Sequence, residues 1–347
     1  MTRQAATEMN LNFASDNTGP VAGPIMDAIL AANRGGAMPY GADPWMPEVR
    51  ARLREMFDWP EAEVLLVATG TGANALALAG LVRPWESVLC HRIAHIEVDE
   101  CGAPEFYTGG AKMILIDGPD AKMSPDALAA ALAGMEGSVH NVQRGALSLS
   151  NVTEAGTLYT LDELAALTDL AHAEGLVTHL DGARFANACA ALECTAAELA
   201  RGFDMVSFGG TKNGCMGVEA IVMRDPARLR EMELRRKRAG QLWSKHRFLS
   251  AQMAAYLRDD LWLANARAAN AAGRRLAAGL ERLGAELVHP VQANMIFVRL
   301  DRDQHARAMA EAQFVQYDDA PRPLCRMVCD FTKTGAEVDR LLELVAG

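Results

Sequence analysis

Residues 176–184 read Leu-Val-Thr-His-Leu-Asp-Gly-Ala-Arg, an apolar run that ends in a charged turn. Two other segments have the same form: Val64–Ala68 runs into Thr69-Gly70-Thr71-Gly72, and Met205–Phe208 runs into Gly209-Gly210-Thr211-Lys212. Short apolar runs of this kind are typical of buried strands, and the longer stretches between them have the composition of helices. The pattern predicts an α/β fold with a mostly parallel sheet.

The chain has 347 residues, more than one domain of ordinary size usually needs. Beyond residue 225 the sequence changes to long stretches rich in Ala, Leu and Arg, followed by strand-like pieces at 288–290 and 295–300. We therefore expect a large α/β domain over residues 1–247, which begins with a short arm at 1–14, and a small α+β domain over residues 248–347.

The composition excludes several classes of partner and site. The 44 acidic side chains outnumber the 34 basic ones, for a net charge of −10, which argues against nucleic acid and anionic membranes. Seven cysteines without paired metal spacing favour reduced thiols in a cytoplasmic protein and no metal site. We find no apolar stretch of membrane-spanning or signal-peptide length in the sequence.

Three chemical features fall at the ends of predicted strands, where open α/β sheets bind their ligands. The Gly-rich turn at 69–72 starts a helix, and the first N–H groups of a helix attract phosphate. Asp181 and Lys212 end the other two strands. A phosphate cradle, an acid and a lysine at one sheet edge are the groups that pyridoxal phosphate requires.

Each feature also has an ordinary interpretation. Asp181 could pair with Arg184, Lys212 could lie on the surface, and the turn could bind nothing. The turn also fits a dinucleotide fingerprint, but the next strand, Ser87–His91, ends without the acid that binds ribose, and only a later residue such as Glu97 could replace it.

Longer motifs carry a resemblance across nearly the whole chain. The matching segments are Ser15-Asp16-Asn17, Tyr40-Gly41-Ala42-Asp43-Pro44, Thr69-Gly70-Thr71, Ala94-His95-Ile96, His179–Ala188, Ser207–Gly214 and Asn294-Met295-Ile296-Phe297. In their residues and in their order along the chain, these segments resemble the threonine aldolase family of fold-type I pyridoxal-phosphate enzymes. The most specific element is the Asp-Gly-Ala-Arg block with Lys212, 31 positions after Asp181 (212 − 181). The resemblance implies an aspartate aminotransferase-like fold with a small C-terminal domain.

The resemblance also implies roles for individual residues. Four of these roles concern the cofactor: Lys212 is the Schiff-base lysine, Asp181 is the partner of the pyridine nitrogen, Gly70 and Thr71 bind the phosphate, and His95 stacks on the ring. The other roles concern the substrate: Arg184, Arg326 and Ser15 bind its carboxylate, and His140 is a second substrate-site histidine. Lys245 is the candidate for the basic residue that reaches the phosphate of a neighbouring subunit, although it is one position out of register with the family's arginine. We expect catalysis by Lys212, His95 and His140.

The sequence departs from the common family pattern in three places. It has Ser150-Asn151-Val152-Thr153-Glu154 where many members have Glu-Asn-Thr-His, Thr211-Lys212-Asn213-Gly214-Cys215 where many have Ser-Lys-Gly-Leu-Gly, and a basic stretch at 236–245 in place of a Gly-Gly-Gly-Met-Arg ending. The stretch at 235–247 resembles the branch of low specificity that cleaves phenylserine.

The implied reaction is retro-aldol cleavage of L-threonine, L-allo-threonine and aromatic analogues such as L-phenylserine to glycine and an aldehyde. The base for the β-hydroxyl is left open among His95, His140 and a water. The alternatives are a β-eliminating lyase or an aminotransferase on the same fold, a pyridoxal-phosphate-binding member without catalysis, and, more remotely, a nicotinamide-dependent dehydrogenase. The family implies a homodimer or homotetramer with active sites at the dimer interface.

Overall fold

A seven-stranded sheet forms the centre of the computed structural model, which describes residues 9–135 and 137–347. In chain order its strands are β1 (Glu63–Val67), β2 (Glu86–His91), β3 (Lys112–Ile116), β4 (Gln143–Ser150), β5 (Val177–Gly182), β6 (Met205–Gly209) and β7 (Glu219–Met223), and their order across the sheet is β1-β7-β6-β5-β4-β2-β3. Strand β7 runs antiparallel to both neighbours, whereas the other paired strands are parallel. The predicted mostly parallel α/β sheet is confirmed.

Helices cover the sheet and fill the connections between its strands. The helices up to β7 are α1 (Gly23–Ala32), α2 (Met46–Phe57), α3 (Gly70–Leu81), α4 (His95–Val98), α5 (Ala103–Thr108), α6 (Pro125–Ala133), α7 (Leu161–Ala173), α8 (Phe185–Leu192) and α9 (Ala196–Leu199). Those after β7 are α10 (Leu229–Arg238), α11 (Arg247–Tyr256), α12 (Leu261–Arg282), α13 (Arg302–Glu311) and α14 (Gly335–Ala346). Their starts follow from local sequence: the Ser124 hydroxyl caps α6, and Thr160 and Glu163 form a capping box on α7.

A second, four-stranded sheet lies in the C-terminal part of the chain. It consists of β8 (Glu286–Leu287), β9 (Met295–Arg299), β10 (Val315–Gln316) and β11 (Leu324–Val328), in the order β10-β11-β9-β8. The strand predicted at 288–290 is wrong in place: the pairing with β9 occurs at Glu286 and Leu287, the Val288 N–H adds a last hydrogen bond to Phe297 O (2.9 Å), and the chain then leaves the sheet toward Pro290.

The proposed domain boundary at residue 247 stays a prediction. Helix α11 packs against α1 and α2 beside the large sheet, and α12 packs against both α8 and α14. The N-terminal arm is described from residue 9, and residues 1–8 lie outside the described part. The arm lies against the small sheet at Phe13, where the Phe13 N–H donates to Gln313 O (2.6 Å) and the Val328 N–H donates to Phe13 O (2.8 Å).

The parallel strands direct their carboxyl ends toward one edge of the large sheet. Ala68 follows β1 there, Ser150 ends β4, Asp181 lies near the end of β5, and Gly209 ends β6. Buried apolar residues of the strands and covering helices hold these ends in register. Among the described residues, no helix is both long enough and apolar enough to cross a bilayer.

Candidate active site

The strand ends surround a cavity of about 500 Å³. Six of the residues predicted from the sequence line it: Gly70, Thr71, His95, Asp181, Arg184 and Lys212. They come from four strand ends and from positions up to 142 residues apart (212 − 70). The fold thus brings the central part of the predicted site together.

The start of α3 forms one wall of this cavity. Thr69 is its N-cap, and its hydroxyl accepts the Gly72 N–H at 3.0 Å. The preceding Gly70 and Thr71 N–H groups lie in the first turn, where helix geometry provides no backbone acceptor. A Cβ added at Gly70 would meet no atom within 4 Å. The turn therefore offers free donors, the positive end of the helix dipole and open space, which together suit a phosphate.

Asp181 lines the same cavity next to α3 and is 5% exposed. Its Oδ1 accepts the Ala183 N–H at 2.9 Å, and its Oδ2 accepts Asn74 Nδ2 at 2.8 Å. The ordinary interpretation, an ion pair with Arg184, is not what forms. Asp181 is held by two neutral donors, which leaves its charge available to a ligand in the cavity.

Arg184 pairs instead with Asp16, the buried acid of the N-terminal Ser-Asp-Asn motif. Arg184 Nε donates to Asp16 Oδ2 at 2.7 Å and Nη2 to Oδ1 at 3.0 Å. Asn294 Nδ2 adds a third hydrogen bond to the carboxylate at 3.2 Å. Burial alone would raise the pKa of Asp16, but the charges of Arg184 and Lys212 outweigh it and hold that pKa below its usual range. The guanidinium plane is therefore fixed, with its Nη1 outside the pair.

Lys212 lies in a short helical turn after β6 and is half-buried in the cavity wall. Burial and the nearby charge of Arg184 lower its pKa, although Asp16 and Asp181 oppose this. A lowered pKa increases the fraction of neutral amine, the form that attacks a carbonyl carbon. The turn is fixed from its far side, where Asn213 Nδ2 donates to Tyr256 Oη and to Trp262 O, both at 2.7 Å.

Glu219 supports the same turn from β7. Its Oε2 accepts the Gly210 N–H at 2.8 Å and its Oε1 accepts the Thr211 hydroxyl at 2.5 Å. Burial raises the pKa of Glu219 to about 7, even though these hydrogen bonds and the charge of Lys212 oppose the shift. The carboxyl group is thus a buried structural contact directly beneath the lysine.

His95 begins α4 at another part of the cavity wall. Its Nδ1 is 2.8 Å from Glu100 Oε1, and its backbone N–H donates to Glu154 Oε1 at 2.9 Å. The hydrogen bond to Glu100 raises the pKa of His95 despite the opposing effect of burial. Asn74 Nδ2 also donates to Glu100 Oε1, at 2.8 Å. The Asn74 amide therefore links Glu100, the partner of His95, to Asp181.

Sequence and structure comparisons agree with this geometry. A family model described as Beta-eliminating lyase matches residues 12–303. The low specificity L-threonine aldolase of Pseudomonas aeruginosa is 40% identical over 297 residues, which cover 85% of each chain. The chain belongs to the β-eliminating lyase family and, within it, to the threonine aldolases. The corresponding enzyme of Pseudomonas sp. is 38% identical over the same length.

Solved structures agree with this placement. Threonine aldolase from Leishmania major superimposes with a TM-score of 0.92 at 28% identity, over 96% of this chain and 98% of that one. Serine palmitoyltransferase from Sphingomonas wittichii superimposes with a TM-score of 0.72 at 16% identity, over 96% and 86% of the two chains, and shows the shared fold alone. The fold-type I prediction is confirmed, and the chain is a pyridoxal-phosphate-dependent lyase.

Pyridoxal phosphate is the expected cofactor of this β-eliminating lyase, and the residues present fit it. The open turn at Gly70 has room for a phosphate, Asp181 is a buried carboxyl group held by Asn74, and Lys212 lines the same cavity with a lowered pKa. Asn74 Oδ1 and Glu100 Oε2 are buried without a hydrogen-bond partner in the described residues, so this wall has capacity for further polar contacts.

Four other residues predicted for the lyase site do not line the cavity. Ser15 caps the short helix that contains Asp16, and its Oγ accepts the Asn17 N–H at 3.2 Å. Arg326 lies on β11, where Nη2 donates to Ala14 O at 3.2 Å. His140 is exposed before β4, at the opposite end of that strand from Ser150, and Lys245 is exposed between α10 and α11. Their assigned roles stay predictions.

Five further residues organise the lyase site and were not predicted from the sequence. They are Asp16, Asn74, Glu100 and Glu219 as partners, and Glu154 as a wall residue. A signal existed for two of them: Asn74 interrupts an Ala/Leu-rich helix, and Glu219 interrupts an apolar strand. A polar group inside an apolar run is buried with its neighbours and needs a partner.

Proposed function

We propose that the chain cleaves L-β-hydroxy-α-amino acids to glycine and an aldehyde by a retro-aldol reaction. The observation that carries this proposal is the enclosure of Lys212 in one cavity with Asp181 and the free first-turn donors of α3. The names of the relatives favour threonine as a substrate. L-allo-threonine and L-phenylserine are included in the proposed range.

Residues of the cavity would hold the cofactor at four points. Lys212 would bind it covalently, Gly70 and Thr71 would donate to its phosphate, Asp181 would pair with its ring nitrogen, and His95 would lie on its ring. When bound, pyridoxal phosphate supplies an electron sink that stabilises the electron pair left at Cα as the Cα–Cβ bond breaks. Asp181 favours this role because a carboxylate keeps a ring nitrogen protonated.

Arg184 would bind the substrate carboxylate and set its direction. Its Nε and one Nη2 hydrogen are occupied by Asp16, so the planar fork cannot rotate freely, and its Nη1 remains outside this pair in a residue that lines the cavity. Ser15 and Arg326 would complete this end of the site, as the family pattern implies. Fixing the carboxylate fixes which bond at Cα stands perpendicular to the cofactor plane, and so which bond breaks.

The proposed assembly is a homodimer or homotetramer with active sites at the subunit interface. Two observations support it. Lys245 lies outside the cavity of its own subunit and is exposed, as a residue that reaches the phosphate of a neighbouring subunit would be. Large apolar side chains such as Phe106 (77% exposed) and Trp85 (63% exposed) also lie on the surface, where subunit contacts would bury them. The seven cysteines are free thiols, which fits the proposed cytoplasmic location.

Product identity separates this proposal from its alternatives. The purified protein with pyridoxal phosphate is incubated with L-threonine, L-allo-threonine and L-phenylserine, and aldehyde, glycine, ammonia and keto acids are measured. We expect aldehyde and glycine in equal amounts. Ammonia with a keto acid would identify a β-eliminating lyase, a keto acid without ammonia an aminotransferase, and cofactor binding without any product a non-catalytic member.

A further inference from the structure

Glu154 is a cavity residue that the proposed site does not yet use. It lies in the loop after β4, and its Oε1 accepts hydrogen bonds from Ser150 Oγ at 2.7 Å and from the His95 N–H at 2.9 Å. The Glu154 backbone N–H also interacts with the carboxylate, and the hydrogen bonds from other described residues all go to Oε1, not to Oε2. Thr153 closes the loop by donating its N–H to Thr157 O at 2.9 Å. The carboxylate is therefore fixed, with one oxygen free at the cavity wall.

The surroundings of Glu154 favour its protonated form more than water does. Burial raises the pKa of Glu154, and the charge of Asp181 on the adjacent strand raises it further, although the hydrogen bonds from Ser150 and His95 oppose the shift. Cys90 on β2 and Tyr159 in the following segment are also near it, and His95, Asp99, Arg184 and Lys212 face it from the other walls of the cavity. A carboxylate in such a place is a stronger base than one in water.

The cleavage needs a base for the β-hydroxyl, and the geometry disfavours the histidines predicted for this task. His95 is committed to two other contacts, because its Nδ1 lies 2.8 Å from Glu100 Oε1 and its backbone N–H donates to Glu154 Oε1 at 2.9 Å. His140 does not line the cavity of its own subunit. Glu154 is a carboxylate of the cavity wall with an uncommitted oxygen.

We propose that Glu154 is the catalytic base that takes the proton of the substrate β-hydroxyl. The proton moves to Glu154 Oε2, the O–H electron pair forms the carbonyl of the aldehyde, and the Cα–Cβ bond breaks with its pair left at Cα. A proton is then added at Cα to give glycine, and Glu154 releases the proton it took, so protons and electrons balance. This inference rests on the proposed retro-aldol function and assigns one step of it.

The test compares Glu154→Gln with the parent holoenzyme in two reactions. Cleavage of L-threonine requires the β-hydroxyl proton to be removed, whereas exchange of the glycine α-hydrogen with solvent deuterium, followed by NMR, does not. We expect Glu154→Gln to retain the visible absorbance of bound pyridoxal phosphate and the glycine exchange, and to lose about 10²–10⁴-fold in kcat for cleavage. We also expect the parent to show an acid limb in kcat/KM against pH, and this limb is expected to vanish in Glu154→Gln.

Asp99→Asn provides the matched control, because Asp99 is an exposed carboxylate at the cavity rim. It removes the same charge, and the acid limb is expected to remain. Ser150→Ala provides a second probe: without the Ser150 hydrogen bond the ionised form of Glu154 is less stable, so the acid limb shifts to higher pH. If Glu154→Gln fails to bind the cofactor, the shift of the acid limb in Ser150→Ala still tests whether Glu154 is the base.

The outcomes separate this inference from the function on which it rests. A parent enzyme that exchanges glycine but releases no aldehyde would overturn the retro-aldol function and this step with it. A parent that cleaves, with Glu154→Gln cleaving within about threefold and keeping the acid limb, would overturn only the role of Glu154. Joint loss of exchange and cleavage in Glu154→Gln, with an unshifted limb in Ser150→Ala, would also overturn it.

Discussion

Arg184 is paired with Asp16, 168 residues away in the chain, and not with Asp181, three residues before it. This pairing separates two charges that local sequence would have joined. Asp181 is left unpaired with Arg184, as its proposed role at the cofactor ring requires, and Arg184 is held in one orientation, as its proposed role at the substrate carboxylate requires. Both proposed roles of the Asp-Gly-Ala-Arg block therefore depend on an acid supplied by the N-terminal segment.

Asp16→Asn is expected to weaken substrate binding. Loss of a charge-assisted contact to a guanidinium costs about 1.5–3 kcal/mol, so KM for L-threonine should rise about ten- to a hundredfold while the cofactor absorbance stays. Asp117→Asn is the control, because Arg92 and Asp117 form a similar two-bond pair on the surface. Steady-state kinetics of both variants check this, and an unchanged KM in Asp16→Asn would show that Arg184 needs no orienting partner.

Gly70→Ala is expected to weaken cofactor binding without destabilising the fold. A Cβ at Gly70 meets no protein atom within 4 Å, so the apoprotein should unfold at the parent temperature. The added methyl group projects into the space assigned to the phosphate, and we expect the Kd for pyridoxal phosphate to rise about tenfold or more. Gly23→Ala, where a Cβ also meets nothing within 4 Å, is the control at the start of α1.

Titration of the cofactor into each apoprotein, read by its visible absorbance, measures the effect. Equal affinity of Gly70→Ala and the parent would place the phosphate elsewhere. A lowered melting temperature of apo Gly70→Ala would instead show that the turn has less room than the structure gives it.

His95 is expected to titrate above the usual histidine range. The hydrogen bond to Glu100 raises the pKa of His95, so Glu100→Gln should lower its NMR titration midpoint. Because the folded-state pKa is raised, the stability that this pair contributes is complete below the ordinary histidine pKa near 6.5 and is lost as the pH rises through the raised value. His305, whose pKa is lowered by burial, is the internal control. A midpoint of His95 that Glu100→Gln leaves unmoved would contradict the assignment.

Much of the fold could be predicted from sequence because its signals are local. Strand β5 and the turn after it are visible as an apolar run followed by Asp181 and Gly182, and α6 starts where Ser124 and Pro125 indicate. Strand β8 was misplaced because a strand of two residues has almost no periodicity, and its position is set by pairing with β9.

The centre of the site was predictable, but its supporting contacts were not. Lys212 and Asp181 follow strand ends, and the topology of a parallel sheet brings such ends together. The contacts of Asn74 with Asp181 and Glu100 depend on how α3 docks over β5, a relationship over 107 residues that no local pattern encodes. In the sequence, Glu154 stands out only because the segment 150–154 differs from the motif common in the family. Its contacts with Ser150 and His95 could not be predicted, because they form only when the loop is folded.

The most direct test of the central claim compares Lys212→Ala with the parent on L-threonine. Both proteins are loaded with pyridoxal phosphate and freed of excess, and the visible absorbance and the release of acetaldehyde and glycine are measured. We predict that the parent retains the absorbance and forms both products in equal amounts, whereas Lys212→Ala retains no covalently held cofactor and forms neither. A Lys212→Ala protein that kept the absorbance and cleaved L-threonine at the parent rate would contradict the account.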